Sequence, residues 1–565
     1  MTKIIKLSSV VFCSLIFLLI IGIGLLVTFV SPNYFKPIIT AQVLKYTGQP
    51  LTIDGDLSWS FFPHFGFKTG HLSWGNQVEV NGAVLQVEIW PLLHRQLNVP
   101  RFDVDGGRFI LANKNAEQIA RIDHIQLHAE NIQLDKAFPI ATTFAFTAKN
   151  GTVQGQGSLD AQLQMDLKQQ VYQLSHIVFS AKTPSGRLNV KTDILMNLHE
   201  QTLTAEKINA DVANMALVGT LHITHLLQNP ELTGHVNIPP FDLKKWLQAI
   251  NKDVPDLQVT KNTSGDFYFS VTTSKQWVWN GIHLQGHLNM DELQAAKLKI
   301  TKLSTEVKLN QGILDLSPVT GALYQGNLRG DAKVNLDRTI PQITTQGSLE
   351  HIQAEPLLDD LWGTDKKIKI QGMGTVAFQL NTQGTNTHSL LQSLNGSTQF
   401  NFNNGVLSGV NIGYWIDVAH SILAGQSLPS QNADSTSFGN LTGTAIIHNG
   451  LLSNNDLFLD SPRFDTKGQG TIDLVSMEIN FALQTTLKHL EVTKPLANLY
   501  DIPIPINITG NLAEPHVRLN AEAIAKGVAE QQINKVQAKV QEKIQEKLKD
   551  KIPEKANELL KNLLQ

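Results

Sequence analysis

The feature that most constrains this chain is a period of two that runs through residues 51–520. "LTIDGDLSWS" puts Leu51, Ile53, Leu57 and Trp59 on one parity; "AVLQVEI" does the same with Leu85, Val87 and Ile89, and "INITGNL" with Ile506 and Ile508. Such alternation describes a strand with one apolar and one polar face. Asn-Gly steps at Asn81, Asn150, Asn280, Asn395, Asn404 and Asn449, with Asp-Gly at Asp54 and Asp105, read as tight hairpin turns, because both residues tolerate positive φ. The expected fold is mainly β, a long series of antiparallel strands with a few short helices.

Two phrases recur within this text. The shorter is a glycine followed by an alternating strand, as in "GTLHI" from Gly219, "GHVNI" from Gly234 and "GTVAF" from Gly374. The stretch "LFLDSPRFDTKGQGTIDL" over residues 457–474 ends in another copy. Its Asp465, Lys467 and Gly468-Gln469-Gly470 step resemble a phosphate loop, but no Lys-Ser or Lys-Thr follows and no helix stands behind. The step reads as a bend or bulge at a turn between paired strands. Ile472 and Leu474, on the apolar parity after it, are candidates for a groove lining or a packed core. The longer phrase joins "LEHIQAEPLLDDLW", "LKHLEVTKPLANLY" and, more loosely, "VNIPPFDLKKWL". Each predicts a strand running into one short helix, near 243–247, 357–362 and 496–500, and the shared order of residue types reads as internal repetition.

Residues 10–30, "VVFCSLIFLLIIGIGLLVTFV", carry no charge. A helix of that length spans about 30 Å, the thickness of a bilayer core. A cleaved signal would have a shorter apolar core and a small-residue site, and "SPNY" offers none. The run predicts a retained single-pass anchor through Val11, Leu15, Ile16, Leu18, Leu19, Ile20, Ile21, Leu25 and Leu26. Lys3 and Lys6 precede it, so residues 1–9 stay cytoplasmic and everything after Ser31 is exported. The single cysteine, Cys13, lies inside the run, so the exported part has no disulfide and no thiolate metal site.

Chemistry-bearing patterns are missing. There is no HExxH, no Gly-Lys dipeptide and no Gly-x-Ser-x-Gly elbow. His222 and His225 fall on opposite strand faces, and His283 and His287 share a face but stand about 13 Å apart, too far for one metal. No catalytic residue, cofactor site or metal site is expected, and the chain reads as non-enzymatic. Charged residues are 17%, below the ~25% of ordinary soluble domains, and net charge is -3. With no dense basic stretch before the tail, nucleic acid is not an expected partner.

The tail changes period. Val536, Val540, Ile544, Leu548 and Ile552 recur every four residues beside Lys535, Lys539, Lys543, Lys547, Lys551 and Lys555, with a break at Pro553. A four-residue step drifts around a helix, which argues against a long left-handed coiled coil. An amphipathic helix is expected over 521–565, lying on a membrane or on the end of the β structure, or solvated without a specific role.

The segment "SPNYFKPIITAQVLKYTGQPLTIDGDLSWSFFPHFGFKTGHLSWG", with "IWPLLHRQLNVPRFDVDGGRFIL" after it, resembles the N-terminal signature of the AsmA family. "NGSTQFNFNNGVLSGVNIGYWI", "FGNLTGTAIIHNGLLSNNDLFLDSPRFDTKGQGTIDL" and "PIPINITGNLAEPHV" resemble its C-terminal blocks. The resemblance implies an inner-membrane anchor at 10–30, a periplasmic β-rich region over 31–395, a C-terminal β region over 396–520, and a Gram-negative envelope. It also implies similarity to chorein-type bridge-like proteins, whose curved sheets form an apolar groove for lipid chains, and a part in outer-membrane biogenesis. Two functions compete. One is a groove that holds or passes phospholipid acyl chains; the other is a scaffold that assists assembly or targeting of outer-membrane proteins through strand edges. A continuous aliphatic lining favours the first, a filled core with exposed edges the second.

Overall fold

The computed structural model describes residues 21, 31–47, 49–60, 65–75, 77–88, 98–112, 118–133, 136–148, 153–226, 229–250, 257–272, 281–295, 298–430 and 434–549. The expected anchor at 10–30 lies outside the described residues apart from Ile21, and among the described residues no helix is long and apolar enough to cross a membrane. The chain divides into two units, Met1–Val254 with Thr263–Gly286, and Pro255–Asn262 with His287–Gln565.

The first unit opens on a 3-10 turn, Pro32–Phe35, that runs into α1 (Lys36–Thr47). Asn33 Oδ1 accepts the Leu57 amide at 3.0 Å, and Phe35 packs edge-on against Trp59 and Phe67 at 6.2 and 5.6 Å. Six short strands follow: β1 (Leu51–Ile53), β2 (Ser58–Ser60), β3 (Gly66–Thr69), β4 (Leu72–Trp74), β5 (Val78–Val80) and β6 (Gly82–Gln86). Then come long ones: β7 (Val99–Ala112), β8 (Gln118–Ile132), β9 (Phe138–Ala148), β10 (Val153–Asp166), β11 (Val171–Thr183), β12 (Gly186–Asn197), β13 (Thr202–Val212), β14 (Met215–Thr224) and β15 (Glu231–Phe241). Each of β7 to β14 pairs antiparallel with the next. After helix α2 (Leu243–Ala249) and β16 (Leu257–Lys261), β17 (Thr263–Thr272) returns to pair with β15.

Register turns the alternation into rows. Met165, Tyr172, Met196, Leu203, Ile223, Leu232 and Val271 are successive cross-strand partners from β10 through β17. Leu159, Phe179, Val190, Ala210 and Leu217 form a second row. All of them are half-buried and none is fully covered. The fully buried apolar residues of these strands are mostly small, such as Ala161, Ala181 and Ala205.

Bulges interrupt the ladders. His124, His176 and Lys207 take positive φ of 53–55° inside β8, β11 and β13. In β11 the freed His176 amide donates to Asp193 Oδ1 at 2.7 Å, so the irregular backbone keeps a partner. An extra residue bends the bulged strand and increases its twist.

In the second unit β18 (Ile282–Ala295) pairs with β16, and antiparallel strands continue as β19 (Leu298–Asn310), β20 (Ile313–Leu323), β21 (Gly326–Asn335), β22 (Gln342–Gln353), β23 (Lys369–Gln383) and β24 (Asn395–Ser408). They end with β25 (Ser435–His448), β26 (Leu451–Asp460), β27 (Phe464–Asp473), β28 (Glu478–Leu487), β29 (Ile504–Asn511) and β30 (His516–Leu519). Helices α3 (Ala354–Trp362), α4 (Thr387–Gln392), α5 (Ile412–Ala424) and α6 (Ala521–Lys549) are inserted or appended, and a 3-10 segment covers Glu491–Leu499. The three strand-to-helix phrases are therefore present, at α2, α3 and this 3-10 segment. Here the core is filled: Ile412 and Ile416 of α5, Leu499, Ile504, Ile506 and Leu512 are 0–1% exposed, and Ile524 of α6 joins them.

Helix α5 is capped by Asn411, whose side chain accepts the Tyr414 amide at 2.8 Å, and stops at Gly425 with φ +65°. Two readings need correction. Among the described residues the Asn-Gly and Asp-Gly steps are mostly not hairpin tips, and Asn150-Gly151 and Asn280 lie outside them. Asn449-Gly450 is one, between β25 and β26, but Asn404-Gly405 and Asp105-Gly106 lie inside β24 and β7, where the register shifts. The Gly468-Gln469-Gly470 step is mid-strand in β27 and keeps unbroken register with β28; the bulge lies in the partner strand β26, after Asn454. Helix α6 packs against the β core at its start, where Ile524 is buried. Ile533, Val536, Val540 and Ile544 are about half exposed.

Candidate functional site

The apolar parity of β23–β29 faces α3 across a cavity of about 320 Å³. Alternation places Phe400 and Phe402 of β24, Leu441 and Ala445 of β25, and Phe481 and Leu483 of β28 on its wall. Leu357, Leu358, Leu361 and Trp362 of α3 form the opposite side. Leu361 is 43% exposed, so this side reaches solvent. Ile472 and Leu474 both line the cavity. Ile472 sits between Leu452 of β26 and Ile479 of β28 in the ladder.

Glycine keeps the floor low. A Cβ on Gly468 would meet Leu457 Cδ2 and Leu483 Cδ2, each at 2.8 Å. A Cβ on Gly470 would lie 2.2 Å from the Asn480 carbonyl oxygen. The Gly-Gln-Gly step thus serves close approach of side chain and backbone, not a turn.

The polar groups at this floor are already occupied. Asn454 is buried; its amide donates to Thr444 O at 2.6 Å and Asp456 Oδ1 at 2.8 Å, and its oxygen accepts the Leu457 amide at 3.0 Å. Asp456 accepts the Thr444 amide, which holds its carboxyl below the usual range. Thr466 and Thr485 share a hydroxyl hydrogen bond at 2.9 Å. These bonds stabilise the bulge and leave a lining without a titratable side chain. Such a surface can take an apolar chain by burial, and it offers no acid, base or nucleophile.

The acidic residues of the 457–474 stretch act elsewhere. Lys488 bonds Asp460 and lies 3.1 Å from Asp465, tying β26, β27 and β28 together. Hydrogen bonding to Asp460 raises the Lys488 ammonium, and the same bond lowers Asp460. Lys467 is exposed and makes no ion pair among the described residues.

Helix α3 is latched over the cavity. Tyr324, in the β20–β21 turn, donates its hydroxyl to Asp360 Oδ2 at 2.6 Å, and Lys369 pairs with Asp359 at 3.0 Å. Burial, then the Asp360 carboxylate, pushes the Tyr324 phenol well up. Sequence reasoning reached Ile472 and Leu474 but missed Phe400, Phe402 and the α3 leucines as partners of one site. Parity in "TQFNF" marks the phenylalanines as a face, yet only register shows that this face meets Ile472. Among the described residues no group of three or more His, Cys, Asp or Glu could hold a metal ion.

Comparison with known proteins places the chain among relatives. The AsmA family model matches residues 1–119 and 164–457. Protein AsmA of Escherichia coli (strain K12) is 20% identical over 580 residues, covering 91% of this chain and 93% of its own. No solved structure matches.

Proposed function

This chain belongs to the AsmA family, and from that premise we propose that it is a non-enzymatic envelope protein that holds or passes phospholipid acyl chains on apolar β surface during outer-membrane biogenesis. The observation that carries the reading is the only partly covered apolar lining. In the first unit seven successive partners from Met165 to Val271 stand half-buried in one row. In the second unit the same parity lines a cavity without titratable groups. A single sheet layer with an apolar face must hide it by packing, curling or binding, and a large exposed apolar strip is a binding surface or a liability. Retention through residues 10–30 in the inner membrane, with the remainder in the periplasm, completes the proposal.

The continuous row favours lipid over the alternative of a scaffold for outer-membrane proteins, which needs edges but no lining. The test uses a phospholipid with a photoreactive acyl chain. Ile472→Asp and Leu474→Asp variants that fold and melt normally should lose labelling in the second unit, because each sets a charge where a chain must lie. Lys467→Ala, on the outward parity, should label as the wild type does. Equal labelling of all four proteins would reject the cavity as a lipid site.

A further inference from the structure

The polar face of the first unit holds a hollow of about 590 Å³ that an acyl-chain function leaves unused. Its floor is a cross-strand row of hydroxyl and amide groups, Thr143, Ser158, Ser180 and Asn189, each the direct partner of the next across β9 to β12. Ser158 and Ser180 hydrogen-bond at 2.9 Å. One row over, Lys182 and Arg187 stand directly opposite each other on β11 and β12, both exposed and both lining the hollow.

That pairing is unfavourable by itself. Like charges directly opposite on one sheet face destabilise the pair. Neither side chain has an ion-pair or hydrogen-bond partner among the described residues. The nearby carboxylates are engaged. Asp123, opposite Ala145 at the hollow's rim, is held by Arg108 at 3.0 Å and Arg121 at 2.5 Å. Asp211, opposite Asn189, accepts the Asn214 amide at 3.1 Å in the β13–β14 turn. The hollow therefore presents two cations that make no ion pair among the described residues, beside a row of neutral hydrogen-bonding groups.

We propose that this hollow binds a phosphate ester with a small hydroxylated substituent. Arg187 supplies a planar fork and Lys182 a point charge for the phosphate oxygens. Thr143, Ser158, Ser180 and Asn189 hydrogen-bond the hydroxyls of the substituent. The volume lies within the ~300–1,000 Å³ of ligand pockets and exceeds what a bare phosphate fills. The same chemistry is met in a phosphoglycerol lipid head group and in a soluble polyol phosphate. The site lies on the opposite parity from Leu159, Phe179 and Val190, so it stands or falls independently of the acyl-chain reading.

The test titrates the full chain in detergent micelles with glycerol phosphate and, separately, with phosphatidylglycerol, following calorimetric heat and melting temperature. Lys182→Gln combined with Arg187→Gln should weaken binding by at least about tenfold, since two charge-assisted contacts are lost. Lys136→Gln combined with Lys168→Gln, a charge-matched pair away from the hollow, should bind as the wild type does. Binding of glycerol phosphate assigns a soluble ligand; binding of phosphatidylglycerol alone assigns a head group. Without ligand, the Lys182/Arg187 double variant should melt at or slightly above the wild-type temperature, because a like-charge contact is relieved. Failure of the wild type to bind either probe, or equal loss in the control pair, would overturn the site. A double variant that does not fold would show the two cations to be structural and would overturn it too.

Discussion

At the scale of single residues, side-chain volume and hydrogen-bond supply decide what this chain can do. Gly468 stands where a methyl group would press on Leu457 and Leu483 at 2.8 Å. Both leucines are flexible, so Gly468→Ala should fold, destabilised by about 1–2 kcal/mol of overpacking, with reduced acyl-chain labelling of the cavity; chemical denaturation and labelling measure both, and a variant with neither effect would mean the floor is not tight. His128 is a different case. It bridges Asp103 at 2.6 Å and Glu130 at 2.9 Å, and hydrogen bonding first to Asp103, then to Glu130, raises its pKa above 6.5. Because the folded value is the higher one, the stabilisation is complete below the unfolded pKa and is lost as pH rises through the folded pKa. The stability advantage of the wild type over His128→Gln should therefore shrink between about pH 6 and pH 8, the range in which imidazole titrates. A constant difference across that range would show that the bridge does not depend on the imidazolium.

At the scale of elements, the sequence was most legible where local pattern and tertiary role agree. Alternation marked the strands, and the repeated phrase marked α2, α3 and the 3-10 segment before β29. It was least legible where tertiary contacts decide. Val410, Ile412, Ile416 and Val418 fall on one parity, as in a strand, yet they are buried around and along α5. The bulges at Lys207 and Lys302 use a residue with no special liking for positive φ, and those at His124, His176 and His351 use one that tolerates it but is scattered along the chain, so no composition signal announces them. The β20–β21 turn does the same with Tyr324 and Gln325 at φ of 48° and 67°. Tyr324 is placed there to reach Asp360, which argues that α3 is held by its side-chain latch as well as by Leu357. Tyr324→Phe should cost about 1 kcal/mol, a hydrogen bond to a partly solvated carboxylate. It should also speed hydrogen exchange in α3 while leaving β28 and β29 unchanged. Unchanged exchange in α3 would mean that packing alone fixes the helix.

At the scale of the whole molecule, each unit solves the same problem separately. A β chain with no cysteine after residue 13 must bury or occupy one apolar face per strand. The second unit packs much of that face under α5, the 3-10 segment and the first turns of α6, and keeps a cavity under α3. The first unit leaves its rows half-covered. That contrast was not readable beforehand: alternation states that a face is apolar, and only register and burial state whether anything lies on it. The measurement that bears most directly on the central claim is in-cell photo-crosslinking from single positions. A photoreactive residue at Leu203 or Val190 in the first unit, or at Ile472 in the second, should capture phospholipid; the same residue at the outward-facing Gln173 or Lys467 should not. Phospholipid captured equally from both parities, or from neither, would contradict the account.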